Sequence, residues 1–156
     1  MSTELSKIDF FELGDKTSLV CADPATTEQV REVLKELGYK SHVAETAEMA
    51  IERFRYTPYD VLVVHENFAG SSLHSNALLN YLATLPMPQR RHSFVCLIGT
   101  SFKTLDAMQA FTQSVHVVVH PMDLPNLTAI LKKSTAEFAL LYKVYHDAVA
   151  GQHVAH

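Results

Sequence analysis

The sequence predicts an α/β fold: a doubly wound, five-stranded parallel sheet sandwiched between helices, with an extended C-terminal helix. Three observations carry that expectation. Short apolar runs alternate with stretches whose apolar residues recur at helical spacing. The runs do not switch regularly between polar and apolar residues, and Val61-Leu62-Val63-Val64 is apolar throughout, as in strands covered on both faces. The resulting order, β-α-β-α-β-α-β-α-β-α, is that of parallel strands joined by right-handed crossovers. Strand order within the sheet stays open at this level.

The strands are expected at residues 18–22, 40–44, 59–65, 93–98 and 115–120, the second being the weakest. Thr26 or Thr27 can cap a first helix bearing Val30, Val33, Leu34 and Leu37, which Gly38 ends. Ala47, Ala50, Ile51 and Phe54 mark a second helix, closed before Pro58. Ala77, Leu78, Tyr81, Leu82 and Leu85 mark a third, stopped by Pro86 and Pro88. A fourth, between Phe102 and Phe111, uses Leu105 and Met108.

The last element is long. No proline follows Pro125 and no glycine precedes Gly151, so a helix is expected over about 123–150, with 151–156 a polar tail. Some 25 residues span roughly 37 Å, more than a small sheet needs. Leu127, Ile130, Leu131, Phe138, Leu141, Tyr145 and Val149 give it an apolar stripe. Either the helix kinks near Ser134-Thr135 and folds back, or its outer half projects and takes a partner, of which self-association is the favoured form.

At 156 residues the chain fits one domain, taken as residues 1–150 with its core at about 17–133. Hydrophobic residues at 47% and charged residues at 19% describe a packed protein and not a disordered one. Thirteen basic against seventeen acidic side chains leave a net charge of −4. Lys132-Lys133 and Arg90-Arg91-His92 are short solvated clusters, so no nucleic-acid partner is expected. Cys21 and Cys96 sit inside apolar runs and read as buried thiols. No apolar run approaches membrane-spanning length and the start lacks a leader pattern, so a cytoplasmic protein without membrane contact is expected.

In a parallel α/β sheet, ligands bind beyond the carboxyl ends of the strands. The side chains expected there are Asp23, His65, Thr100 and His120. They would share one mouth if the strands carrying them are neighbours. Two histidines and a carboxylate suit zinc or iron chemically. The plainer alternative is a hydrogen-bonded polar cluster, and that reading, with no metal and no cofactor, is the one adopted. Glu66 is the only carboxylate next to His65, but adjacent strand positions point to opposite faces.

Three stretches resemble response-regulator receiver domains, the phosphoacceptor modules of two-component signalling. The first is Leu19-Val20-Cys21-Ala22-Asp23-Pro24. The second is Ala50-Ile51-Glu52-Arg53-Phe54 followed by Pro58-Tyr59-Asp60-Val61-Leu62-Val63-Val64-His65. The third is Val117-Val118-Val119-His120-Pro121-Met122-Asp123-Leu124, then Leu127 and Leu131. Their order and spacing cover about residues 17–133. The resemblance implies a flavodoxin-like, receiver-like sandwich. It places His65 at the phosphoacceptor aspartate, His120 at the conserved lysine and Pro121 at a cis-linked proline. Ala22 and Asp23 fall on the acidic pair, and Thr100 on the switch hydroxyl.

Those departures have a chemical consequence. Magnesium prefers hard oxygen ligands in near-octahedral geometry. His65 removes the carboxylate nucleophile and one oxygen ligand, and Ala22 removes another. The resemblance therefore implies a degenerate receiver, or pseudo-receiver, that is not an enzyme and is not phosphorylated. It would act by protein–protein interaction, as a homodimer through the C-terminal helix or with another signalling protein. The interaction surface is expected to include Phe102, Leu105, Phe138, Leu141, Tyr142 and Tyr145. The competing expectation is a metal-assisted hydrolase or acid–base enzyme at the Asp/His cluster. Three histidine or carboxylate tips converging on one point would favour it.

Overall fold

The computed structural model describes residues 11–70 and 76–154. Five parallel strands form one sheet in the order β2-β1-β3-β4-β5. They are β1 (Lys16–Cys21), β2 (Tyr39–Val43), β3 (Val61–His65), β4 (Phe94–Ile98) and β5 (Val117–Val119). The helices are α1 (Pro24–Glu36), α2 (Ala47–Tyr56), α3 (Ala77–Ala83), α4 (Met87–His92), α5 (Ala107–Thr112) and α6 (Leu127–Val154). Short 3-10 segments occupy Phe68–Gly70 and Pro121–Asn126. This is a flavodoxin-like α/β fold: the alternating pattern predicted the doubly wound parallel sheet, and the resemblance implied its flavodoxin-like form.

The apolar strands divide their side chains between two cores. Leu19, Leu62, Val64, Leu97 and Val118 face α2, α3 and α5, joined by Ala50, Leu78 and Leu82. Val20, Val63, Cys96, Ile98 and Val119 face α1 and α6, joined by Val30, Leu34, Leu127 and Leu131. Neighbouring residues of one strand serve opposite faces, so a run with both faces covered must be apolar at every position. Tyr59, fully buried, shares a hydrogen bond of 2.8 Å between its hydroxyl and His42 Nδ1.

Several local expectations change. The first helix is capped by Asp23, whose carboxylate accepts from Thr26 N at 3.2 Å, and not by a threonine. Thr27 instead donates its hydroxyl to Ala22 O. Pro86 and Pro88 do not merely stop a helix. Pro88 lies in the first turn of α4, where its missing N–H removes no intrahelical bond. The last helix begins as a 3-10 segment at Pro121 and turns α-helical at Leu127. It then runs as unbroken helix through Ser134-Thr135, where Thr135 Oγ1 donates back to Leu131 O, so the chain does not fold back there. It also passes through Gly151 to Val154, so the expected polar tail starts as helix.

Cys21 and Cys96 are free and buried. Burial pushes the Cys21 thiol well above its ordinary range and holds that of Cys96 up at about 12, so both are inert thiols. No helix among the described residues is long and apolar enough to cross a membrane.

Candidate functional site

The carboxyl ends of β1, β3, β4 and β5 bring their loops to one edge of the sheet. His65 closes β3 and is half-buried. Its Nδ1 accepts from Asn67 N at 3.1 Å. His120 follows β5, and its Nδ1 accepts from Met122 N at 3.0 Å, capping the Pro121–Asn126 segment. The two imidazoles thus make the same bond, from a strand end to the amide two residues on. An Nδ1 that accepts from an amide carries no hydrogen, so each neutral ring holds its proton on Nε2. Both are turn-forming side chains in the manner of a short polar residue at a strand exit.

Asp23 is exposed and committed to the start of α1. The hydrogen bond from Thr26 is the main cause of its lowered pKa, and His65 nearby adds to the effect. Ala22, Asp23 and His65 line one cleft, whereas Thr100, His120 and Pro121 are not among its walls. The peptide bond before Pro121 is trans, there being no cis bond among the described residues. Pro121 then serves as the first residue of the 3-10 segment, a position that needs no N–H. Among the described residues no group of three or more His, Cys, Asp or Glu is placed to hold a metal ion.

Glu66 is the residue the alternation argument set aside. It is 3% exposed and lies on the opposite face from His65. Its amide donates to Ile98 O at 2.8 Å, which extends the β3–β4 pairing by one step and sets Glu66 beside Gly99. The side chain lies across Gly99 so closely that a Cβ there would sit 2.3 Å from the Glu66 carboxyl carbon. Oε1 accepts from Thr100 Oγ1 at 3.3 Å and from Ser101 N at 3.4 Å, while Oε2 is buried and has no partner among the described residues. The carboxylate therefore occupies the inner side of the β4–α5 loop.

A second tie joins the same loop to β5. Thr104 Oγ1 accepts from His120 N at 2.9 Å and donates to Asp123 Oδ2. Glu66 and Thr104 together fasten the β4–α5 loop to the β3 and β5 exits. Thr104 did not stand out in the sequence, and Glu66 was weighed there only to be set aside. A glutamate and a glycine at matching steps beyond two strands would have been the signal, but it needs the strand register to be read.

The expected interaction residues separate. Phe102 is 5% exposed, because the turn that brings its amide to Gly99 O folds the ring into the core, so it is not a surface residue. Phe138 is half-buried against Phe94 and His116, with ring centroids 5.6 and 4.6 Å away, so its main contacts lie within the domain. Leu105, with φ of 66°, Leu141 and Tyr142 are exposed. Tyr145 lies outside the described side chains. Leu140 and Val144, which the sequence did not single out, are also exposed.

A five-stranded parallel sheet of this order, with polar side chains gathered at the strand exits, defines the flavodoxin-like class of α/β proteins, to whose fold receiver domains also belong. Solved receiver-domain structures share this fold. The receiver domain of the Francisella response regulator 1452 is 13% identical with a TM-score of 0.61, over 80% of this chain and 98% of that one. A response regulator from Thermotoga maritima is 16% identical with a TM-score of 0.59, over 78% and 98%. The chemotaxis response regulator CheY4 of Vibrio cholerae is 14% identical with a TM-score of 0.58, over 77% and 98%. No protein-family model and no curated protein sequence matches the chain. At such identities the likeness is one of fold.

Proposed function

We propose that this chain is a receiver-like signalling or scaffold module that does not undergo aspartyl phosphorylation and works through protein–protein contact. One observation carries the reading. Both decisive strand ends hold imidazoles tied by Nδ1 to their own turns, and the adjacent carboxylate, Glu66, is buried over Gly99. An acyl phosphate needs an accessible carboxylate beside a hard cation, and Glu66 is walled off from both. Thr100, the counterpart of the switch hydroxyl, donates to that same carboxylate, so the β4–α5 loop is held in one arrangement. The surface beyond it, with Leu105, Met108 and Phe111 exposed, is presented permanently.

The preferred partner is a second copy, through α6. Leu140, Leu141 and Val144 are 66%, 69% and 60% exposed and recur at helical-neighbour spacing beyond the part of α6 that packs on the sheet. The alternative occupant is another signalling protein on the same stripe.

Incubation of the full chain with acetyl phosphate and magnesium, followed by intact-mass measurement, tests the chemistry. No phosphoryl increment is expected. A stable increment that disappears in His65→Gln or Glu66→Gln would overturn the reading. Light scattering tests assembly: a dimer mass is expected for the wild type and a monomer mass for Leu140→Glu/Val144→Glu. Monomeric wild type across the micromolar range would refute self-association.

A further inference from the structure

We propose that the cleft over the carboxyl ends of β1, β2 and β3 binds a small organic anion, a carboxylate or phosphate on an apolar body, with Arg53 as its anchor. The cleft has a volume of about 950 Å³ and opens between α1 and α2. That lies at the upper end of the range for small-molecule sites. It also straddles the point where the sheet changes direction, since the chain runs from β1 outward to β2 and returns to β3 on the other side. Open α/β sheets offer their natural crevice there.

The charges around it are layered. Asp23, Glu28 and Glu45 line the cleft but are exposed, whereas Arg31 and Arg53 are half-buried. Two of the carboxylates are already engaged: Asp23 caps α1, and Glu28 pairs with Arg31 at 3.6 Å. Arg53 differs. Among the described residues no carboxylate pairs with it and its Nε is buried without a hydrogen-bond acceptor, so the neutral Tyr59 hydroxyl is the side-chain group that answers its guanidinium. A guanidinium in that state is short of acceptors, and a planar anion answers it with two parallel bonds. The positive charge lies deeper than the negative, where lower dielectric strengthens its pull and the rim carboxylates are screened by water.

The rest of the wall sets the ligand class. Met49, Phe68 and Val43 supply apolar contact, while His42 and His65 add ring edges. A bare inorganic ion would leave that surface wet. A neutral apolar molecule would leave the Arg53 charge without an anionic partner. Asp23 and His65 of the strand-exit cluster stand in its wall, whereas Thr100 and His120 take no part, so the site overlaps that cluster at the β1 and β3 ends and extends from there toward β2 and α2.

The test is a titration of the 15N-labelled full chain with phenyl phosphate, benzoate, inorganic phosphate and benzyl alcohol, read by amide and arginine side-chain resonances. Saturable shifts of the Arg53 Nε–H and of the Ala44 and Asn67 amides are expected with one or both aromatic anions. The stronger of the two identifies the head group. Inorganic phosphate should bind at least about tenfold more weakly, and Arg53→Gln should weaken the organic anion by about tenfold or more, as loss of a charge-assisted bond does. Arg53→Lys should retain part of the affinity. Linear shifts without saturation, equal responses to benzyl alcohol, or unchanged affinity in Arg53→Gln would overturn the site. If Arg53→Gln does not fold, the wild-type titration decides alone: an Arg53 Nε–H resonance that stays still under both aromatic anions refutes the proposal.

Discussion

Replacing Gly99 with alanine should evict Glu66 from the β4–α5 loop. The new Cβ would stand 2.3 Å from Glu66 Cδ and 2.6 Å from both Cγ and Oε1, separations no side chain tolerates. The backbone at Gly99 is not in the left-handed region, so alanine itself fits the main chain. The carboxylate is what must move. It would lose the bonds from Thr100 Oγ1 and Ser101 N, which at 3.3 and 3.4 Å are long and worth roughly 0.5 kcal/mol each. Residual crowding adds to that loss, while hydration of the unpartnered Oε2 offsets some of it. The net cost is about 1–2 kcal/mol. In a Glu66→Ala background the same change should cost less than about 0.5 kcal/mol, leaving a coupling near 1 kcal/mol. Urea unfolding of the four proteins in the cycle measures it. Equal cost in both backgrounds would show that the crowding partner is not Glu66. A loss above about 3 kcal/mol confined to the single variant would mean that the side chain cannot swing away at all.

Other outcomes follow from the same geometry. Asp23→Ala removes the α1 cap and should cost about 1 kcal/mol at neutral pH. Because the folded carboxyl pKa is lowered, that contribution is present above the ordinary aspartate value and fades as pH falls through the folded one. His116 accepts from Val95 N at 2.9 Å, and burial, aided by Arg90, depresses its pKa to about 4. Between pH 6.5 and 4 the unfolded chain takes up a proton that the folded chain refuses, so stability is lost as the pH drops through that window. With part of the residue open to water, the loss is about 1–2 kcal/mol, and His116→Gln should flatten the acid limb of a stability-versus-pH curve. Leu127→Ala, at a fully buried position of α6, should cost about 3 kcal/mol, whereas Leu140→Ala should stay within about 0.5 kcal/mol in dilute solution.

The sheet was legible because its strands are apolar on both faces, a demand that only a covered parallel sheet imposes. Val61 to Val64 therefore announced both the element and its environment. The α1 cap was misassigned because Asp23 had been given to the strand exit, yet one carboxylate at a strand–helix junction naturally serves the helix. Pro86 and Pro88 were read as a stop although proline equally suits the start of a helix, where Pro88 lies. At the candidate site the strand-end identities of His65 and His120 could be named from sequence, but their bonding could not. Both rings turned out to serve backbone amides a short step away, a matter of loop conformation. Glu66 was hidden for a different reason. Its environment is made by Gly99, a residue 33 positions later, and only the β3–β4 register brings the two side by side. Phe102 looked like a surface aromatic because nothing local showed that its turn folds inward.

The 28 residues of α6 extend about 42 Å, yet its fully enclosed side chains, Leu127 and Leu131, sit in the opening turns, with Phe138 the last to rest on the strands. The outboard turns are thus a cantilever. Their sequence can drift, lengthen or acquire a new docking code without disturbing the packed layers on the sheet, while any torque applied at the free end is delivered to Phe94 and His116, close to where the polypeptide enters its last two strands.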